Sequence, residues 1–174
     1  TASKFRSTVT PVSVARPDMD ATASSIMRLI VACSGGVDSV LLTAVAAKVL
    51  GPQACAATAV SPSLASGELE DARAAALAVG IRHIEVATDE LDNPAYAANA
   101  VDRCFHCKDT AYHAFTTLAA RAGIAVVIDG TNADDQSDFR PGRRAAKQHG
   151  VRSPLAEAGM TKQEIRDWRS EEHT

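Results

Sequence analysis

A chain of 174 residues, 46% apolar and 22% charged, has the size and balance of one globular domain able to bury a core. Aromatic residues make up only 4%, so that core must be built mainly from Ala, Val, Leu and Ile. A net charge of −3 provides no global attraction to nucleic acid or anionic membrane, and no apolar run reaches the ~18–20 residues of a membrane span.

The first eighteen residues carry scattered Thr, Ser, Pro and Arg without periodicity. They read as a non-native or disordered leader, with Met19 or Met27 as the natural start and no apolar secretory core. Arg28 to Cys33 is apolar after its first residue and partly β-branched, as a buried strand is. The run Ser34-Gly35-Gly36-Val37-Asp38-Ser39 follows, then a helix over roughly 38–49 with Val40, Leu41, Val45 and Val49 on related faces, ended by Gly51-Pro52. Ala54 to Val60 reads as a second strand, weakly because alanine is a poor strand former. Glu68 to Val79 reads as an alanine-rich helix closed by Gly80, and Ile81 to Ala87 as a third strand.

Residues 88–103 are polar and broken at Asn93-Pro94. A helix is expected from about Cys104 to Arg121, closed by Gly123. Ile124 to Ile128 reads as a fourth strand opening into a long loop over 129–142, and Thr161-Lys162-Gln163-Glu164 has the capping-box pattern of a last helix. The domain is expected over 19–168. The final six residues, 169–174, can be encoded by AGATCGGAAGAGCACACG, the start of a common sequencing adapter, and are read as an artefactual tail.

Alternating strands and helices with nearly continuous apolar strands predict an α/β fold, a parallel sheet covered on both faces. Ligands of such sheets sit beyond the carboxyl ends of the strands. The loops at 34–39 and 129–142 both follow strands and are therefore expected on one rim.

The glycines of Ser34–Ser39 let backbone bend sharply and approach an anion. The loop amides and the next helix N-terminus then face phosphate oxygens, with Ser34 and Ser39 as further donors. Asp38 suits that setting if a Mg²⁺ lies between it and phosphate; the competing reading makes Asp38 or Ser39 a plain helix cap. The missing Gly-Lys-Ser/Thr ending excludes a Walker A loop. Asp129 and Asn132 are candidates for the nucleotide or Mg²⁺, against a solvated turn. Arg140 has the geometry to grip a phosphate or carboxylate, or to pair with Asp138.

The four cysteines do not look like a secreted disulfide framework, which makes the cytoplasm the default compartment. Cys33 and Cys55 lie in expected strands and read as inert core residues. Cys104 and Cys107 form a Cys-x-x-Cys flanked by Arg103 and Lys108. Structural packing, support of a substrate site and half of a metal site all fit it.

Ser-Gly-Gly-x-Asp-Ser after a first strand resembles the signature of the PP-loop ATP pyrophosphatases. The resemblance implies their Rossmann-like three-layer fold, as in adenine nucleotide alpha hydrolases, and cleavage of ATP between the α- and β-phosphates. Arg103-Cys104-Phe105-His106-Cys107-Lys108 is similar to the Arg-Cys-Tyr-x-Cys-Lys motif of LarE-type sacrificial sulfur transferases, with Phe for Tyr. Asp129-Gly130-Thr131-Asn132, the Arg140-Pro141-Gly142 turn and Ser153-Pro154-Leu155 through Lys162 resemble further segments of that family. The resemblance, over about residues 28–168, implies ATP with Mg²⁺ and adenylation of a carboxylate on a pyridinium dicarboxylate mononucleotide. Sulfur then comes from a protein cysteine, in the synthesis of the nickel-pincer nucleotide of lactate racemase. That cysteine is expected in a Cys-Leu-Ala-Ser-Arg-like segment beyond the last residue, so no cysteine here receives the donor role. A tRNA-thiolating or amide-forming PP-loop enzyme, and an inert nucleotide-binding fragment, are the alternatives. The expected partner is a small-molecule nucleotide, not nucleic acid or membrane, with room left for a homo-oligomer.

Overall fold

The computed structural model describes residues 28–62, 64–65, 67–89, 103–136 and 141–171. Four strands form one parallel sheet: β1 (Leu29–Ala32), β2 (Ala54–Val60), β3 (Arg82–Ala87) and β4 (Val126–Asp129), in the order β3-β2-β1-β4. Leu29 pairs with Ala54 on one side and Val126 on the other, and Ala32 pairs with Ala57 and Asp129. Around it run α1 (Val37–Leu50), α2 (Glu68–Ala78), α3 (Arg103–Ala122), α4 (Pro141–Gln148), α5 (Pro154–Glu157) and α6 (Lys162–Glu171).

The period-two alternation of the strands divides the core into two layers. Ile30, Cys55, Ala57, Ile84 and Val127 face α3 and α4, where Phe105, Tyr112, Phe115, Ala145 and Ala146 close over them. Val31, Ala54, Ala56 and Ile128 face the other way, toward Leu41, Leu42 and Ala46 of α1, Ala72 and Ala76 of α2, Leu155 and Ile165. Small side chains on β2 let the helices lie close, so few aromatics suffice. The expected three-layer α/β sandwich is the observed one.

Strand order decides where a ligand can enter. The chain moves outward from β1 to β2 to β3, then crosses to the other side of β1 to make β4. The reversal lies between β1 and β4, and the crevice beyond their carboxyl ends is the switch point of such sheets.

Several local expectations change. On α1 the buried residues are Ser39, Leu41, Leu42, Thr43 and Ala46. Val49 is 72% exposed and Val45 only partly covered, because the inward stripe follows the i, i+3, i+4, i+7 row of 39, 42, 43 and 46. The fourth strand runs later than expected, so Asp129 ends β4 rather than opening a loop. The long loop is interrupted by a 3₁₀ turn, Asp134–Gln136, and ends where Pro141 begins α4. That helix has no apolar stripe to announce it, since its buried side is Gly142, Ala145 and Ala146 beneath Arg143, Arg144 and Lys147. A single parallel bridge, Ile128 to Arg152, extends the sheet beside β4. The expected capping box on α6 is present: Glu164 accepts from the Thr161 amide and hydroxyl, and its own amide bonds the Thr161 hydroxyl. Glycines 80 and 123 close α2 and α3 with positive φ, as expected.

Candidate functional site

The loop after β1 is shaped by two glycines with different tasks. Gly35 has φ +81°, and a Cβ there would lie 2.8 Å from the Glu68 carbonyl at the start of α2. Both conformation and space therefore require glycine. Gly36 is the N-cap of α1 in extended conformation, with no side chain capping the helix. The positive end of the helix dipole is left turned toward the crevice.

The plain-cap reading fails for both of its candidates. Ser39 is buried and donates its hydroxyl to the Gly36 carbonyl at 2.9 Å while accepting the Ser34 amide at 3.2 Å. One hydroxyl proton is thereby committed, so the 3.4 Å contact with the Ser34 hydroxyl uses the Ser34 proton. Ser39 is an internal brace of the loop rather than a donor held out to a ligand. Asp38 stands in the first turn of α1, and its carboxylate reaches across to the neighbouring loop.

That loop begins at Asp129, 4% exposed, whose carboxylate collects four donors: the Tyr112 hydroxyl at 2.5 Å, the Ser153 hydroxyl at 2.6 Å, and the Thr131 hydroxyl and amide at 2.9 and 3.2 Å. Such a full set is what a buried carboxylate requires. Gly130 packs directly on α1, because a Cβ there would lie 2.7 Å from the Ser39 amide nitrogen. Asn132 is fully buried and joins the two loops: its Nδ2 donates to Asp38 Oδ2 at 2.8 Å, and its Oδ1 accepts the Asp135 amide at 3.1 Å. The two rim loops expected to meet do meet, through Asn132 and Gly130.

Between them opens a cleft of about 540 Å³, within the range of small-molecule sites. Ser34, Gly36, Val37, Asp38 and Ser39 line one side, with Asp129, Gly130, Thr131 and Asp135 beside them. Helix α3 forms the facing wall with Cys107, Lys108, Ala111, Tyr112 and Phe115, while Thr58 and Ala59 of β2 and Leu64 after it also line the cleft. Lys162 and Arg166, one turn apart on α6, complete the rim. The lining thus combines acids and cations with small apolar and aromatic side chains.

The expected site residues fall into three groups. Ser34, Gly36, Val37, Asp38, Ser39 and Asp129 line the cleft; Gly35 and Asn132 stand behind it. Cys107 and Lys108 face it from α3, Cys107 exposed. The side chains of Arg103 and Cys104, and the whole of Arg140, lie outside the described residues. Among the described residues, no three His, Cys, Asp or Glu side chains are grouped to hold a metal ion. Lys108 is held by an unforeseen contact: its stem lies so close over Gly142 that a Cβ there would meet Lys108 Cδ at 2.5 Å. Cys33, expected in the buried core, is buried yet lines the cleft just past β1. Cys55 is a core thiol, pushed up to about 11 by burial.

Sequence reasoning missed Gly130, Tyr112, Lys162 and Arg166. Gly130 was legible as the glycine directly after a strand, whereas nothing local directed Lys162 and Arg166 of α6 to the rim. Tyr112 carried no local signal, because its partner Asp129 lies in another element.

The family model described as Asparagine synthase matches residues 24–168. The chain is 52% identical over 139 residues to an uncharacterised protein of Synechocystis, covering 80% of this chain and 52% of that protein. It is 33% identical over 147 residues to the pyridinium-3,5-bisthiocarboxylic acid mononucleotide synthase of Lactiplantibacillus plantarum, covering 84% of this chain and 53% of that protein. The chain thus spans about half the length of these relatives. In fold it is similar to a predicted subunit of tRNA methyltransferase from Methanocaldococcus jannaschii, with TM-score 0.57 and 21% identity over 83% of this chain and 74% of that one. Among the described residues no helix is long and apolar enough to cross a membrane. The match over residues 24–168 places the chain in the asparagine synthase family of PP-loop proteins.

Proposed function

We propose that this chain is the ATP-binding portion of a LarE-type sulfur transferase, which adenylates a carboxylate of a pyridinium dicarboxylate mononucleotide and releases pyrophosphate. The observation that carries the reading is the joining of two rim loops over an uncapped helix N-terminus, with Asn132 Nδ2 2.8 Å from Asp38 Oδ2. Loop amides and the positive helix end suit the triphosphate. The apolar wall of Ala59, Leu64 and Phe115 suits a planar base.

In the reaction a carboxylate oxygen of the acceptor attacks the α-phosphorus. The bond from that phosphorus to the bridging oxygen breaks, and pyrophosphate leaves with the electron pair. The product is an acyl adenylate, in which AMP is the leaving group a free carboxylate lacks. A cysteine thiolate can then displace AMP and form a thioester. Elimination at that cysteine leaves a thiocarboxylate and dehydroalanine.

Mg²⁺ takes oxygen ligands, commonly one or two carboxylates together with substrate phosphates. Asp38 and Asp135, both on the cleft wall, fit that donor set. When bound, the ion would offset charge on the departing pyrophosphate. Asn132 orients the Asp38 carboxylate, Ser39 braces the loop, and Lys108, Lys162 and Arg166 bring positive charge to anionic substrate groups.

Exchange of labelled pyrophosphate into ATP tests the reading. Exchange that requires the pyridinium mononucleotide is the expected result. Exchange dependent instead on tRNA, or ATP binding with no exchange under any acceptor, would contradict it.

A further inference from the structure

Asp129 draws its four hydrogen bonds from three separate parts of the chain. Thr131 belongs to its own loop, Ser153 precedes α5, and Tyr112 comes from α3 across the cleft. Tyr112 is 4% exposed, so its ring is packed in the core while its hydroxyl reaches the end of β4. One turn earlier on the same helix, Lys108 faces the cleft with its ammonium 6.0 Å from the Tyr112 ring centroid, and Cys107 lies beside it. On the other side of Asp129, Gly130 packs on Ser39 and Asn132 holds Asp38. A single phenolic hydroxyl therefore ties the helix bearing Lys108 to the loop that orients Asp38.

Resting on the reading of the cleft given above, we infer that Tyr112 is a positioning residue whose bond to Asp129 registers helix α3, the facing wall of the cleft, against the loops at 34–39 and 129–132. The physical ground is the steep dependence of an in-line displacement on alignment. Groups gripped by α3 and groups gripped by the two loops are held by different elements, and drift between those elements misaligns reacting atoms without weakening either grip. A short bond to a buried carboxylate is among the strong hydrogen bonds a neutral donor can make, and it resists such drift. Tyr112→Phe keeps the packed ring and removes the bond to Asp129.

Tyr112→Phe and Ser153→Ala each take one hydroxyl donor from Asp129, but only the first removes a bond made from α3. Amide hydrogen exchange of the full chain, with and without ATP, reads the connection directly. In the unsubstituted chain ATP slows exchange both over 34–42 and over 107–112, the latter by about fivefold or more. In Tyr112→Phe the protection over 34–42 is retained and that over 107–112 is lost; in Ser153→Ala both are retained. In pyrophosphate exchange, Tyr112→Phe lowers kcat roughly tenfold to a hundredfold and leaves KM for ATP and acceptor within about twofold.

The inference is overturned if ATP does not protect 107–112 in the unsubstituted chain. It is equally overturned if Tyr112→Phe keeps that protection, or if the two variants lose it alike. Failure of the acceptor to support pyrophosphate exchange, with the α3 protection present and lost only in Tyr112→Phe, would remove the proposed substrate and leave the tie intact.

Discussion

Gly130 occupies the point of the site where two backbones meet. Its backbone rests on the first turn of α1, so that a methyl group would fall 2.7 Å from the Ser39 nitrogen and 2.9 Å from its Cα. Neither is a flexible side chain able to swing aside. Gly130→Ala must push the Asp129 loop away from α1 and strain the Asn132–Asp38 bond with it. We expect a loss of about 1–3 kcal/mol in folding stability, the usual cost of overpacking, together with at least about tenfold weaker ATP binding. Urea unfolding and ATP titration of the same preparation check both; undisturbed ATP affinity would show that the contact between the loops does not shape the site. The residues around it were unequally legible. Asp38 and the loop glycines announce themselves because phosphate-binding geometry demands particular residue types at fixed spacing. Asn132 was expected near the nucleotide or Mg²⁺; its Oδ1 takes the Asp135 amide three residues on, while its Nδ2 reaches Asp38 in the other loop, a pairing that no local spacing encodes.

At the scale of elements, the sheet was readable because its strands are short apolar runs separated by turn residues. Their alternation was not, since Ala54-Cys55-Ala56-Ala57 is buried on both faces. Helices with apolar or capped sequence were foreseen, whereas α4 was not, because alanine and glycine bury its inner face without leaving a periodic signal. The β2–β3 pairing carries a pH-dependent element. The Thr58 hydroxyl donates to the Cys33 carbonyl at 2.7 Å, so His83 Nε2, at 2.8 Å, must be its donor. Burial lowers the His83 pKa from its ordinary 6.5, opposed by the nearby Glu85. A depressed folded value means the unfolded chain takes the proton first. The His83 contribution is therefore whole above about pH 6.5 and is lost as pH falls from there through the folded value. His83→Gln should flatten the decline of Tm over that interval. Equal slopes for the two proteins would exclude His83 as the titrating group.

Across the whole molecule, topology gathers what the sequence scatters. Asp38 and Asn132 are far apart in the chain, and they meet because β4 crosses back to lie beside β1. Placement of both distinctive loops on one rim followed from a general rule of parallel sheets. Assigning Lys162 and Arg166 to that rim required the fold, since the packing of Ile165 into the layer of α1 and the bond from the Lys162 amide to Asp134 bring α6 to the cleft. Charge is arranged accordingly: the net value of −3 conceals a local site in which Lys108, Lys162 and Arg166 stand around Asp38 and Asp135.

Calorimetric titration of the chain and its Asp38→Ala variant with ATP and Mg²⁺ tests the central claim, that the cleft between the loops at Ser34–Ser39 and Asp129–Asn132 binds the nucleotide. The account predicts saturable binding to the unsubstituted chain and at least about tenfold weaker binding to Asp38→Ala, with unchanged circular dichroism. Absence of binding to the unsubstituted chain, or equal affinities for the two, would contradict it.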